Sequence, residues 1–216
     1  MTDEQVGELI YKEFSEKTLG ATEQYLEIHS PVYLDGKLEI SRIDREGRIG
    51  LIVAYLPIEG EHFSFAVYID SDAREIFNVG IESRNTVSLR ATSEILGLTE
   101  LSSFINLSPT KSHNRGDLKK HGKSAYEYSF VEYEPNRETD AFEDKLRKLL
   151  TNLKEHEADV RELALNSNAY INVAVDCHHG NQHIAATIID LECIRMLSEL
   201  NLRIEFDFWA WGNPFN

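Results

Sequence analysis

A chain of 216 residues with 42% hydrophobic and 10% aromatic side chains has the composition of a folded protein, one large domain or two small ones. Its 37 acidic against 22 basic residues give a formal net charge of −15, which argues against nucleic acid and anionic membrane as partners and favours a basic protein. No apolar run approaches the roughly 18 residues of a membrane span, and the acidic start MTDEQVGELI lacks the parts of a signal peptide, so a cytoplasmic location is expected.

Residues 3–17 predict a helix, because Val6, Leu9, Ile10 and Phe14 recur at spacings of three and four. Thr2 or Asp3 caps its start and Gly20 lies just past its end. The period then changes to two. Tyr33–Ser41, Ile49–Leu56, Phe63–Asp70 and Ile76–Glu82 read as strands, separated by Asp35-Gly36, Glu46-Gly47, Glu59-Gly60 and Asp70-Ser71-Asp72. In the third, Phe63, Phe65, Val67 and Ile69 define the core face. Residues 1–84 are therefore expected to form a helix plus a four-stranded antiparallel sheet, with a boundary near Ser83-Arg84-Asn85.

A second unit, 85–216, opens with a strand at Thr86–Ile95 and a short helix capped by Thr99, carrying Leu101, Phe104 and Ile105. The segment LSPTKSHNRGDLKKHGK follows and concentrates Lys111, Arg115, Lys119, Lys120 and Lys123 with His113 and His121. It reads either as an anion grip or as a solvated mobile loop, and no P-loop spacing accompanies it. Next come a strand at Ser124–Tyr133 with Tyr126, Tyr128 and Phe130 on one face, and a helix opened by Asp140 and Glu143. Phe142, Leu146, Leu149, Leu150 and Leu153 form its stripe, and a shorter helix spans Ala158–Leu165.

Residues Ala169–Asp190 read as a hairpin turning at Gly180-Asn181, which sets Cys177 opposite Ile184, Val175 opposite Ala186 and Val173 opposite Ile188. Its polar face carries Asn172, Asp176, His178 and His183. Asp190 caps a helix, Leu191–Leu200, with Ile194, Leu197 and Leu200 inward. A last strand, Leu202–Trp211, turns Leu202, Ile204, Phe206 and Phe208 one way and Arg203, Glu205, Asp207, Trp209 and Trp211 the other. From Ser124 on the order is β-α-β-β-α-β, so the expected fold class is α+β, the second unit being a ferredoxin-like antiparallel sheet with helices on one face and the other face open.

The strand TVSLRATSEI, the short helix running into LSPT and the downstream Arg115-Gly116-Asp117 give residues 86–211 a family likeness. So do the helix FEDKLRKLLTNL, the hairpin and the ending ECIRMLSELNLRIEFDFW. Together they resemble a bacterial domain-of-unknown-function family, DUF4279. Members often carry Trp where this chain has His113. The family supplies no catalytic residues; some members lie beside toxin genes, so the resemblance implies an immunity role.

Three constellations are candidates for function. His178 opposite His183, with Asp176 on the same face, offers two imidazoles and a carboxylate to a divalent metal, or simply a polar cover for the hairpin tip. Glu205, Asp207, Trp209 and Trp211 form a contact surface, since Trp is enriched in binding hot spots. An acid/base role for Glu205 and Asp207 is the sharper and weaker alternative. Cys177 and Cys193 read as small core hydrophobes, and neither a nucleophile elbow nor a dinucleotide fingerprint occurs. The expected function is a non-enzymatic protein-binding module without cofactor, an immunity protein facing a basic toxin. The alternative is a small-ligand or metal-dependent enzyme on the open sheet face, and a third possibility is a homodimer joined through the open sheets.

Overall fold

The computed structural model describes residues 1–46, 49–179 and 187–213. The chain forms two compact units. The first comprises Met1–Asn85, Val175–Ala185 and Phe208–Asn216; the second comprises Thr86–Ala174 and Ala186–Asp207.

In the first unit, α1 (Asp3–Glu16) starts where expected. The Thr2 hydroxyl accepts the Gln5 N–H at 3.3 Å and the Gln5 side-chain oxygen accepts the Thr2 N–H at 3.0 Å, a reciprocal cap for two otherwise orphaned donors. Lys17, at φ 52°, ends the helix in the left-handed conformation. Gly20, expected as the terminator, instead opens a second helix, α2 (Gly20–Leu26).

The expected single strand at Tyr33–Ser41 folds back on itself. Asp35 and Gly36 have φ of 50° and 78°, the two successive left-handed residues of a tight hairpin turn, which join β1 (Tyr33–Leu34) to β2 (Lys37–Leu38). A short β3 (Arg42–Asp44), not foreseen, then leads into β4 (Leu51–Pro57), β5 (Ser64–Asp70) and β6 (Glu75–Glu82). These four form an antiparallel sheet in chain order, the meander expected. Val6, Ile10 and Phe14 of α1 pack with Ile52, Leu56, Phe63, Phe65, Val67 and Ile69 in one core, where Phe14 meets Phe65 edge-on at 5.4 Å. Val53, Tyr55 and Ala66, on the reverse face, are also buried, in a smaller cluster with Leu51 and Tyr68. The expectation of one free face therefore fails for this sheet.

The second unit contains most of β7 (Arg84–Ser93), then α3 (Leu98–Ser103), β8 (Lys111–His113), β9 (Ser129–Tyr133), α4 (Phe142–Lys154) and α5 (Glu157–Asn166). It continues with β10 (Asn168–His178), α6 (Leu191–Glu199) and β11 (Arg203–Trp211), strands that run on into segments counted with the first unit. The sheet order is β11-β10-β7-β9-β8, with β9 antiparallel to both β7 and β8. Val87, Leu89, Ala91, Val131, Tyr133, Ala169, Ile171 and Val173 are buried on one face of it, as are the apolar stripes of the three long helices. On α6 the buried residues are Cys193 and Leu197, with Leu200 buried just past its end, while Ile194, expected inward, is exposed.

The α+β class holds, with helices beside antiparallel and mixed sheets. Thr187–Asp190 form no strand, and the rest of the expected return, including Ile184 and Ala186, lies outside the described residues. The neighbours of β10 in the sheet are β7 and β11. Arg203 at the start of β11 lies over the Tyr170 ring at the start of β10, and the His179 N–H donates to the Trp211 carbonyl at the far ends. The two strands therefore run in the same direction, joined through α6 as a β-α-β step. Among the described residues no helix is long and apolar enough to cross a membrane.

The candidate protein-contact surface and a buried histidine pair

Residues that sequence alternation puts on the polar face of the five-stranded sheet divide sharply. At its centre Ser88, Glu132 and Asn172 are sealed, at 0%, 0% and 2% exposure. Glu132 is held between the Arg90 guanidinium at 2.6 Å and the Lys111 ammonium at 2.7 Å. Burial pushes the Glu132 carboxyl up, but its bonds to Lys111 and Arg90 outweigh that and hold it below the usual range. At the β11 edge the same face opens: Glu205, Asp207, Trp209 and Trp211 are all exposed. Glu205 pairs with its own neighbour Arg203 at 2.7 Å.

The end of β11 gathers three large exposed aromatics, Phe208, Trp209 and Trp211, at 54%, 57% and 46%. Trp209 and Trp211 share one face and Phe208 the other, so a strand at the rim of a sheet displays apolar surface on both sides. Trp211 is fixed: its indole N–H donates to Asp176 at 2.9 Å and its ring stands edge-on to His62 at 6.2 Å. His62 in turn lies 3.3 Å from the Arg84 guanidinium. Asp176, a candidate metal ligand in the sequence, thus serves as an acceptor for Trp211.

His178 is not on an open face. It is 2% exposed, and its Nε2 lies 2.8 Å from Nε2 of His29 and 3.0 Å from the Asn213 carbonyl. The expected partner, His183, lies outside the described residues. His29 was not singled out in the sequence, because 149 residues separate it from His178 and it sits in the irregular segment between α2 and β1. Phe63 stands edge-on to both imidazoles, at 5.4 and 5.2 Å. Burial first, and the neighbouring His178 second, push His29 down to about 4.

The basic segment is an ordered arm. β8 lies within it, Leu118 bridges Ala125, and Asn114 accepts the Leu98 N–H at the start of α3. His113 stacks on Tyr126 at 3.5 Å and on Phe130 at 5.1 Å, and burial lowers its pKa. Cys177 and Cys193 are both free and buried; burial raises both thiols, Cys193 to about 11, which removes them as nucleophiles near neutral pH.

Compared with known proteins, the chain matches the model of a domain of unknown function, DUF4279, over residues 82–211. No curated protein and no solved structure matches it.

Proposed function

The chain belongs to the DUF4279 family, and from that premise we propose that it is a non-enzymatic, cytoplasmic protein-binding module, an immunity protein that neutralises a cognate basic toxin through the end of β11. The observation that carries this reading is the exposed aromatic group Phe208, Trp209 and Trp211 on a sheet-edge strand. Rigid aromatic side chains bring large contact area at small entropic cost, and the rim of a sheet offers unpaired backbone groups to a partner strand. Asp207, exposed one residue before this group, and the net charge of −15 favour a cationic partner by steering. Buried thiols of raised pKa give a nucleophile no support. The alternative, an enzyme using the open sheet face, is weakened by the sealing of Ser88, Glu132 and Asn172 at the centre of that face.

The test is co-expression with each neighbouring gene product that proves toxic to the cell. Wild-type protein is expected to restore growth and to co-purify with the toxin, and the double variant Trp209→Ala, Trp211→Ala is expected to do neither while keeping its far-ultraviolet dichroism. Absence of a complex with any neighbouring gene product rejects the immunity reading. A dimer in sedimentation that the double variant dissociates assigns the surface to self-association instead.

A further inference from the structure

A second feature of the first unit points to chemistry that the contact surface does not use. Three polar atoms converge near the end of β11: Nε2 of His29, Nε2 of His178 and the carbonyl oxygen of Asn213. The Asn213 carbonyl can only accept. The hydrogen-bonded arrangement in which each contact has one donor puts a hydrogen on Nε2 of His178 and shares it between His29 and Asn213. One proton then serves two acceptors, in a place where both imidazoles are at least nine-tenths buried.

The chain goes to some length to bring these atoms together. His29 comes from the segment after α2, His178 from the end of β10 and Asn213 from beyond β11. Gly212, at φ 85°, presses the backbone inward: a Cβ there would meet Phe63 at 2.6 Å and His178 at 3.2 Å. Only glycine allows the carbonyl of the next residue to reach the imidazole. The surrounding rings, Phe63, Phe65 and Tyr25, add no charge of their own at neutral pH.

We propose that His29, His178 and the Asn213 carbonyl form a binding site for a borderline divalent transition-metal cation, with zinc the first candidate and nickel or copper the alternatives. Two imidazole nitrogens and one oxygen are the donor set such ions accept, with a water completing four-coordination; the ion displaces the Nε2 hydrogen of His178 to solvent and that imidazole takes up a proton at Nδ1 instead. Bonds of about 2.0–2.1 Å at a tetrahedral angle require the two nitrogens to stand about 3.3 Å apart. They are 2.8 Å apart here, so each ring withdraws by a few tenths of an ångström. The candidate set read from the sequence is thereby changed: His178 stays, Asp176 is committed to Trp211, and His29 enters.

The experiment uses the full chain, purified without a histidine tag and stripped with chelator, titrated calorimetrically with zinc, nickel and copper salts at pH 7.5. Saturable binding at one ion per chain is expected for at least one of them, weakened more than about tenfold by His29→Gln and by His178→Gln. His113→Gln, in the other unit, is expected to bind as the wild type does. Should either pair variant misfold, copper paramagnetic resonance on the wild-type chain decides: coupling to two imidazole nitrogens supports the site. No stoichiometric binding, affinity unchanged in both pair variants, or a copper signal without imidazole coupling overturns it.

Discussion

Glu132 and Glu205 occupy the polar face of one sheet and meet opposite fates. Glu132, at the centre, is fully sealed and gripped by two cations; Glu205, on the edge strand, sits in solvent beside a single arginine. The same division separates Ser88 and Asn172 from Asp207 and Trp209. Alternation along a strand tells which residues share a face, and nothing about whether that face is covered.

Replacing each carboxylate tests the division most severely. Glu132→Ala strands Arg90, whose side chain is only 24% exposed, and leaves a cavity between Arg90 and Lys111. A loss of about 3 kcal/mol in urea unfolding is expected, at the lower end for a broken buried pair because Lys111 can turn to water. Glu205→Ala should cost under about 0.5 kcal/mol, as exposed pairs do. Equal costs would mean that the centre of the face is wet after all.

Acid provides the next largest effect and concerns the sealed end of β10. The pKa of His29 is depressed in the fold, to about 4 from an unfolded value near 6.5. Its contribution is therefore fully present above pH 6.5 and drains away as pH falls from 6.5 toward 4, where both states are protonated. By pH 5 the loss is about 2 kcal/mol. Glu132 and Asp190, both lowered, add their own losses as pH falls through the ordinary carboxylate values and below, under pH 5, so a difference between wild type and His29→Gln from pH 6.5 to 5 isolates the imidazole. A His29→Gln protein whose stability falls just as steeply over that interval would detach the effect from this residue.

These two sites show what could be read from the chain beforehand. The α1 stripe and its Thr2 cap, the β4–β6 meander, the α4 stripe and the Asp190 cap all rest on neighbours a few residues apart, and each was legible. The Trp209–Trp211 face was legible for the same reason. The pairing of His29 with His178 was not, because it joins a loop to a strand across 149 residues and no local pattern records it. The pairing of β10 with β11 was not legible either: Val173 and Val175 alternate as any half-buried strand does, and alternation cannot say that β11, returning through α6, lies alongside. Gly20 misled because Lys17 had already adopted the left-handed turn that ends α1.

The Asp190 cap offers a smaller test on a partly exposed side chain. Its carboxylate accepts the Cys193 N–H at 2.7 Å and the Arg147 guanidinium at 2.5 Å, which together hold its pKa near 2. Asp190→Ala should cost about 1 kcal/mol, the worth of an N-cap, and Asp190→Asn should recover most of it by keeping the acceptor. Recovery by Asn would place the energy in the cap and leave little for the exposed ion pair; failure to recover would reverse that division.

The smallest expected change in stability belongs to the residue with the largest expected effect on binding. Trp209 is 57% exposed, so Trp209→Ala removes surface that water already touches and should shift unfolding by less than about 0.5 kcal/mol. Trp211→Ala goes further, because it also leaves the Asp176 carboxylate without its indole donor. If the edge of β11 is a contact surface, the two variants lose the partner alike while differing in stability, since partner contact depends on the aromatic area and stability on the hydrogen bond beneath it. If instead Trp209→Ala proves as destabilising as Glu132→Ala, the edge is covered as thoroughly as the centre, and the contrast between the two glutamates marks only which strand each one happens to occupy.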